Sequence, residues 1–261
     1  MSQVYCEQVG SGPDLVLVHG WGLSGAVWQG LVPLLAPHFR LHLVDLPGFG
    51  HSRQHGALSL DQQARACAAV VPAGAIWLGW SLGGLVAVTA ALAGHGQLRG
   101  VVWVATSPCF VSKDGWPGTD GALLERFRHE LAANYRATLE RFVAIQVMGS
   151  RTARAELKWL REQLNARPEP APEALDNGLA LLANSDLRQA IQSLKQPLLR
   201  YYGEHDSLVP QASRHLGPWP AGGQRLFAGA AHAPFISDPE AFAAALMVDL
   251  APLCAMAQSG K

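Results

Sequence analysis

Three residues spread along the chain have the types and order needed for acyl-transfer chemistry. Ser81 stands in Gly79-Trp80-Ser81-Leu82-Gly83, Asp206 in Gly203-Glu204-His205-Asp206-Ser207, and His232 in Ala230-Ala231-His232-Ala233-Pro234. A serine hydroxyl is a weak nucleophile at neutral pH, so it needs a base to take its proton and an acid to orient that base. His232 is the expected general base and, in reverse, the general acid for the leaving alcohol. Asp206 would fix its tautomer and stabilise the imidazolium. Glu204 is the second choice for the acid. An oxyanion formed by attack needs preorganised N–H donors. The backbone N–H of Leu82 supplies one. Trp21, in the glycine-flanked loop His19-Gly20-Trp21-Gly22, supplies the other. The Trp21 ring can equally serve as core cover.

These residues need elements that hold them. Apolar runs at 14–18, 41–44, 76–78, 100–105, 197–202 and 224–227 read as buried strands, each leading into a loop that carries candidate chemistry. Helices are expected at 24–35, 59–71, 82–92 and 239–250. This alternation predicts an α/β fold, a mostly parallel sheet with helices on both faces and function at the strands' C-terminal ends. The sharp strand-to-helix turn at Ser81 reads as a nucleophile elbow. From 109 to 187 the alternation stops and the text turns helical, at 121–149, 152–165 and 172–183. The expected organisation is a core domain of 1–108 and 188–261 with 109–187 as an inserted helical cap. Residues 255–261 read as a loose tail.

The 261 residues carry 20 Lys plus Arg against 20 Asp plus Glu, so no global field favours nucleic acid or a membrane surface. Four separated cysteines, Cys6, Cys67, Cys109 and Cys254, form no metal-ligand or redox pair and suit a cytoplasmic enzyme. Neither a secretory leader nor a membrane-spanning run is legible. His51 and His55 have a metal-like spacing, but Pro47-Gly48-Phe49-Gly50 before them reads as a loop, and no metal is expected. Gly48-Phe49-Gly50 begins like a dinucleotide fingerprint, yet Arg53 takes the third glycine's place, so no cofactor is expected.

Across nearly its whole length the chain resembles the α/β-hydrolase superfamily through these motifs. The text Leu41 to Gly50, Gly56 to Leu60, Ala75 to Ala87, Ser107 to Phe110 and Ala231 to Ser237 looks more closely like the BioH family, the pimeloyl-acyl-carrier-protein methyl ester carboxylesterases of biotin synthesis. The resemblance implies hydrolysis of that methyl ester with release of methanol, through an acyl-enzyme on Ser81 and by a monomer. It implies a channel lined by Phe142, Val143, Ala144, Ile145 and Gln146, and basic cap residues that grip an acyl carrier protein: Arg136, Arg141, Arg154 and Lys158. Two departures stand out: Arg136 lies one place off the expected arginine, and Lys158 replaces an arginine. In the chain itself, Phe142, Ile145 and Met148 recur at helical spacing, as channel lining or plain core. Between 136 and 161 only Glu140 and Glu156 oppose six basic residues, and Arg154, Lys158 and Arg161 share a helix face. The alternatives are a broad-specificity short-chain carboxylesterase of the same fold, and a binding module that keeps the motifs without activity.

Overall fold

A computed structural model describes residues 3–216 and 219–255. The apolar runs form β2 (Asp14–Val18), β3 (Arg40–Val44), β4 (Ile76–Trp80), β5 (Gly100–Val104), β6 (Leu198–Gly203) and β7 (Gln224–Phe227). With β1 (Cys6–Val9) they make a seven-stranded sheet in the order β1-β3-β2-β4-β5-β6-β7. All neighbours are parallel except β1, which runs antiparallel to β3. Sequence reading missed β1: Cys-Glu-Gln-Val has no apolar alternation, and its pairing is set by the neighbouring strand rather than by its own pattern.

Because successive side chains in a strand point to opposite faces, each central strand feeds two cores. Val16, Val18, Trp77 and Trp103 pack beneath α2 (Leu60–Ala68) and α3 (Leu82–Ala93). Leu15, Leu17, Leu78 and Val102 pack with α1 (Val32–Leu35) and α8 (Pro239–Ala255). α2 starts at a capping box in which Ser59 and Gln62 satisfy each other's backbone N–H groups. The helix expected at 24–35 is instead a 3-10 turn at Gly25–Trp28 and the single turn α1; Ser24 makes no cap bond, and Gly30 and Pro33 interrupt the stretch. α8 runs through Ala255, so that residue is helical rather than part of a tail; 256–261 lie outside the described residues.

Between β5 and β6 stand α4 (Gly121–Gln146), α5 (Ala153–Leu164) and α6 (Pro172–Asn184). α4 is not one rod: Asn134 has φ −157° and ψ 87°, and its Oδ1 accepts from the N–H of Ala137 at 3.1 Å, capping a second helical half. Leu124, Phe127 and Phe142 of α4 pack with Leu175, Leu179 and Leu182 of α6 over the sheet's C-terminal edge. Among the described residues no helix is long and apolar enough to cross a membrane.

Candidate active site

Ser81 follows β4 and precedes α3, with φ 55° and ψ −118°. A side chain there is strained, and the strain is kept because the crossing of strand and helix is tight. A Cβ on Gly79 would stand 2.6 Å from Gly84 Cα, and one on Gly83 would stand 2.5 Å from His19 O. Only glycines let α3 lie this close to β4 and to the loop after β2. The turn is fixed by Ser81 N–H donating to Val104 O at 3.0 Å and Thr106 Oγ1 donating to Ser81 O at 3.2 Å.

Asp206 follows β6 on a tight turn. Its Oδ1 accepts from the N–H groups of Leu208 and Val209 at 2.9 and 3.0 Å, and both its oxygens lie 3.0 Å from Nδ1 of His232. The carboxylate and imidazole are both buried. With Nδ1 facing Asp206, Nε2 is the ring nitrogen left over, and among the described residues that buried nitrogen has no hydrogen-bond partner, Ser81 Oγ included. Such contacts are often long before substrate arrives and tighten on binding. Two backbone contacts hold the histidine loop: Trp80 Nε1 donates to His232 O at 2.8 Å, and His232 N–H donates to Gln146 O at 3.0 Å. Glu204, the second choice for the acid, instead accepts from Gly229 N–H at 2.8 Å.

Trp21 covers the core. Its ring is buried edge-on to Phe142, with centroids 4.6 Å apart, and its Nε1 donates to Leu175 O in α6 at 2.8 Å. The loop beneath it is stitched by His19, a residue to which sequence reading gave no role. His19 Nδ1 donates to Gly20 O at 2.7 Å, and Nε2 accepts from Leu46 N–H at 2.9 Å. This pattern requires a neutral ring, and burial pushes the His19 pKa down to about 4. Asp45, fully buried, accepts from Gly25 N–H (2.7 Å), His51 N–H (2.8 Å) and Arg167 Nη1 (2.7 Å), while Arg167 also pairs with Glu7. Arg167 lies between α5 and α6 and ties that segment to the sheet.

A slot of about 10 Å³ beside Ser81 is lined by Phe110, Thr119, Leu124, Phe142, Leu182 and Leu208. Of the five residues 142–146 only Phe142 lines it. A helix cannot turn five successive side chains to one face; Val143 packs into the opposite core, Ala144 and Ile145 are half-buried, and Gln146 is buried, its carbonyl holding His232. Met148, expected with Phe142 on one stripe, is 58% exposed beyond the end of α4. A larger cleft of about 330 Å³, bounded by Val27, Trp159 and Phe235, does not reach Ser81. Size therefore does not locate the site; the buried Asp206–His232 pair does.

The basic residues are less unopposed than their sequence window suggests. Arg136 pairs with Glu169, Arg141 with Glu130 at 2.5 Å, Arg161 with Glu140 at 3.3 Å and Lys158 with Glu162 at 3.9 Å. Glu130, Glu162 and Glu169 lie outside that window. Glu156, counted as an opposing charge, is buried and bonded to Ser150 and Thr152. Arg154 is exposed and, among the described residues, has no partner.

Residues 13–239 match the alpha/beta hydrolase fold family. An esterase from Exiguobacterium antarcticum superposes with a TM-score of 0.83 over 94% of each chain at 20% identity, a likeness of fold alone. Two relatives are named pimeloyl-[acyl-carrier protein] methyl ester esterase. The one from Sodalis glossinidius is 49% identical over 94% of this chain and 97% of its own, and the one from Aeromonas salmonicida is 50% identical over 92% and 96%. By that match, laid over a seven-stranded sheet that presents a serine elbow and a buried Asp–His pair, the chain belongs to the α/β-hydrolase fold and, within it, to the family of pimeloyl-[acyl-carrier protein] methyl ester esterases.

Proposed function

We propose that the chain is a serine carboxylesterase that hydrolyses the methyl ester of pimeloyl-acyl-carrier-protein methyl ester to pimeloyl-acyl-carrier protein and methanol, a step of biotin synthesis. The observation that carries the chemistry is the buried Asp206–His232 pair in the loops after β6 and β7, beside an elbow serine, in a chain about half identical to esterases of that name. Ser81 Oγ attacks the ester carbonyl as His232 Nε2 takes its proton. The oxyanion is received by the N–H groups of Leu82 and Trp21. His232 then protonates the leaving methoxide, and a water activated by the same nitrogen hydrolyses the acyl-enzyme.

In this reading 109–187 act as a cap over the sheet domain of 1–108 and 188–261. The acyl chain passes Phe142 toward Ser81, with 143–146 framing the passage. The carrier protein docks on the cap's basic face, where Arg154 offers an unpaired charge and Arg136, Arg141 and Lys158 can exchange their exposed carboxylate partners for those of the carrier. The reading includes action as a monomer in the cytoplasm, in keeping with four unpaired cysteines. Methanol release from the carrier-bound ester, measured beside the free methyl ester, tests it. Ser81→Ala should abolish both activities, and Arg154→Glu should raise KM more for the carrier-bound ester than for the free one. Full activity in Ser81→Ala would overturn the mechanism. Serine-dependent hydrolysis without carrier preference would leave a broad-specificity short-chain carboxylesterase.

A further inference from the structure

Arg214, at the end of the 3-10 turn Gln211–Arg214, is the most buried Lys or Arg among the described residues, at 2% exposure. Burying a guanidinium is costly unless an anion and hydrogen bonds compensate it. Here compensation is sparse. Nη2 donates to Val209 O at 3.0 Å and the guanidinium lies 5.1 Å from the centre of the Tyr202 ring, while Nε and Nη1 have no hydrogen-bond partner among the described residues. Among the described residues no carboxylate pairs with it directly. The anion it does feel is Asp206, whose charge opposes the downward push of burial on the guanidinium.

The geometry links the two through a single residue. Val209 N–H donates to Asp206 Oδ1, and Val209 C=O accepts from Arg214. The neighbouring carbonyl, Leu208 O, accepts from Thr119 Oγ1 at 2.9 Å, so the turn is gripped from two sides. The charged and titratable groups around the guanidinium are Asp206 in the site and Tyr202 and Arg200 on β6. Arg200 is turned away over the Trp219 ring at 4.3 Å, although its Nη1 reaches Arg214 O at 3.2 Å.

We propose that Arg214 is the positioning residue of Asp206: it clamps the 206–209 turn through Val209 and sets a buried positive charge behind the carboxylate. This rests on the triad reading above. Asp206 is buried, and Arg214 keeps its oxygens aimed at His232 by fixing Val209, whose N–H donates to the carboxylate. Removing Arg214 loosens that turn and lowers kcat, with KM little changed because the fault lies in the transition state.

The test is kcat and KM on p-nitrophenyl butyrate for wild type, Arg214→Met and Arg214→Lys, with circular dichroism as the check on folding. Arg214→Met should lose about tenfold or more in kcat, with KM within about twofold. Arg214→Lys, which keeps the charge and a donor for Val209 O, should recover most of that loss. Wild-type kinetics in folded Arg214→Met, or a loss as large in Arg214→Lys, would overturn the proposal. Should Arg214→Met fail to fold, Arg214→Gln against Arg214→Lys makes the same comparison, since glutamine's shorter side chain does not carry a donor to Val209 O. Activity that survives Ser81→Ala would sink the triad reading itself; an unmoved Arg214→Met in an enzyme that Ser81→Ala silences sinks this inference alone.

Discussion

Gly178 sits in α6 directly above the two residues whose N–H groups are assigned to the oxyanion. A Cβ placed there would stand 2.9 Å from Trp21 Nε1, closer still to Cδ1 of the same ring, and 3.4 Å from Leu82 Cδ2. Trp21 cannot easily retreat, because it is buried, bonded to Leu175 O and backed by Phe142. In Gly178→Ala the helix interior gains about 1 kcal/mol in propensity. Overpacking against a fixed indole costs about 1–3 kcal/mol. The net is a loss of about 0–2 kcal/mol, which a folded domain survives. Activity should suffer more. Removing one oxyanion donor outright costs about 10²–10³ in kcat. A partial displacement of the Trp21 loop should cost about 10-fold or more in kcat, with KM little changed. The assay is steady-state hydrolysis of a small free methyl ester, which bypasses carrier docking, alongside urea unfolding of the same preparation. Wild-type kcat in a folded Gly178→Ala would refute the reasoning, as would a loss no larger than the unfolded fraction explains.

Two further tests address the frame around the site. Arg167→Met leaves the buried Asp45 carboxylate with only the Gly25 and His51 N–H groups, and should destabilise the fold by about 3 kcal/mol in urea unfolding; a loss under about 0.5 kcal/mol would show that the pair clamps nothing. His19 is held neutral, with a pKa of about 4 against an ordinary 6.5, so between those values the unfolded chain binds more protons than the folded one. Its contribution is complete above pH 6.5 and is lost as pH falls toward 4, amounting to about 3 kcal/mol. Unfolding free energy should therefore drop less steeply over that window in His19→Gln, and an identical slope would contradict the assignment.

The strands, the elbow at Ser81 and the pairing of Asp206 with His232 were legible because each is carried by local text: an apolar run, then a glycine- or proline-punctuated loop with one reactive side chain. What stayed hidden depends on partners distant in sequence. Arg167 and Asp45 are 122 positions apart, and nothing local marks either as half of a buried pair. The basic face looked unopposed because Glu130, Glu162 and Glu169 fall outside the stretch that carries the arginines. Gly178 reads as a weak spot in a helix until the Trp21 ring is seen beneath it, and Arg214 reads as a surface charge until its burial is known. The break in α4 had a faint signal: asparagine caps helices well, but Asn134 sits among good helix formers and gives no warning by periodicity.

That break sets two segments of one helix to different tasks. The second half of α4 contributes Phe142 to the slot beside Ser81 and ends on Gln146, whose carbonyl holds His232, whereas the first half contributes Leu124 to the slot alone. A slot of about 10 Å³ must widen for any chain of methylenes to enter. Because Asn134 interrupts the helix between Leu124 and Phe142, the two α4 walls of the slot belong to separate helical pieces. Substitutions within 121–133 therefore reach the slot from the piece that makes no contact with the His232 backbone, and selection or engineering can reshape that wall without touching the Gln146 carbonyl that holds His232.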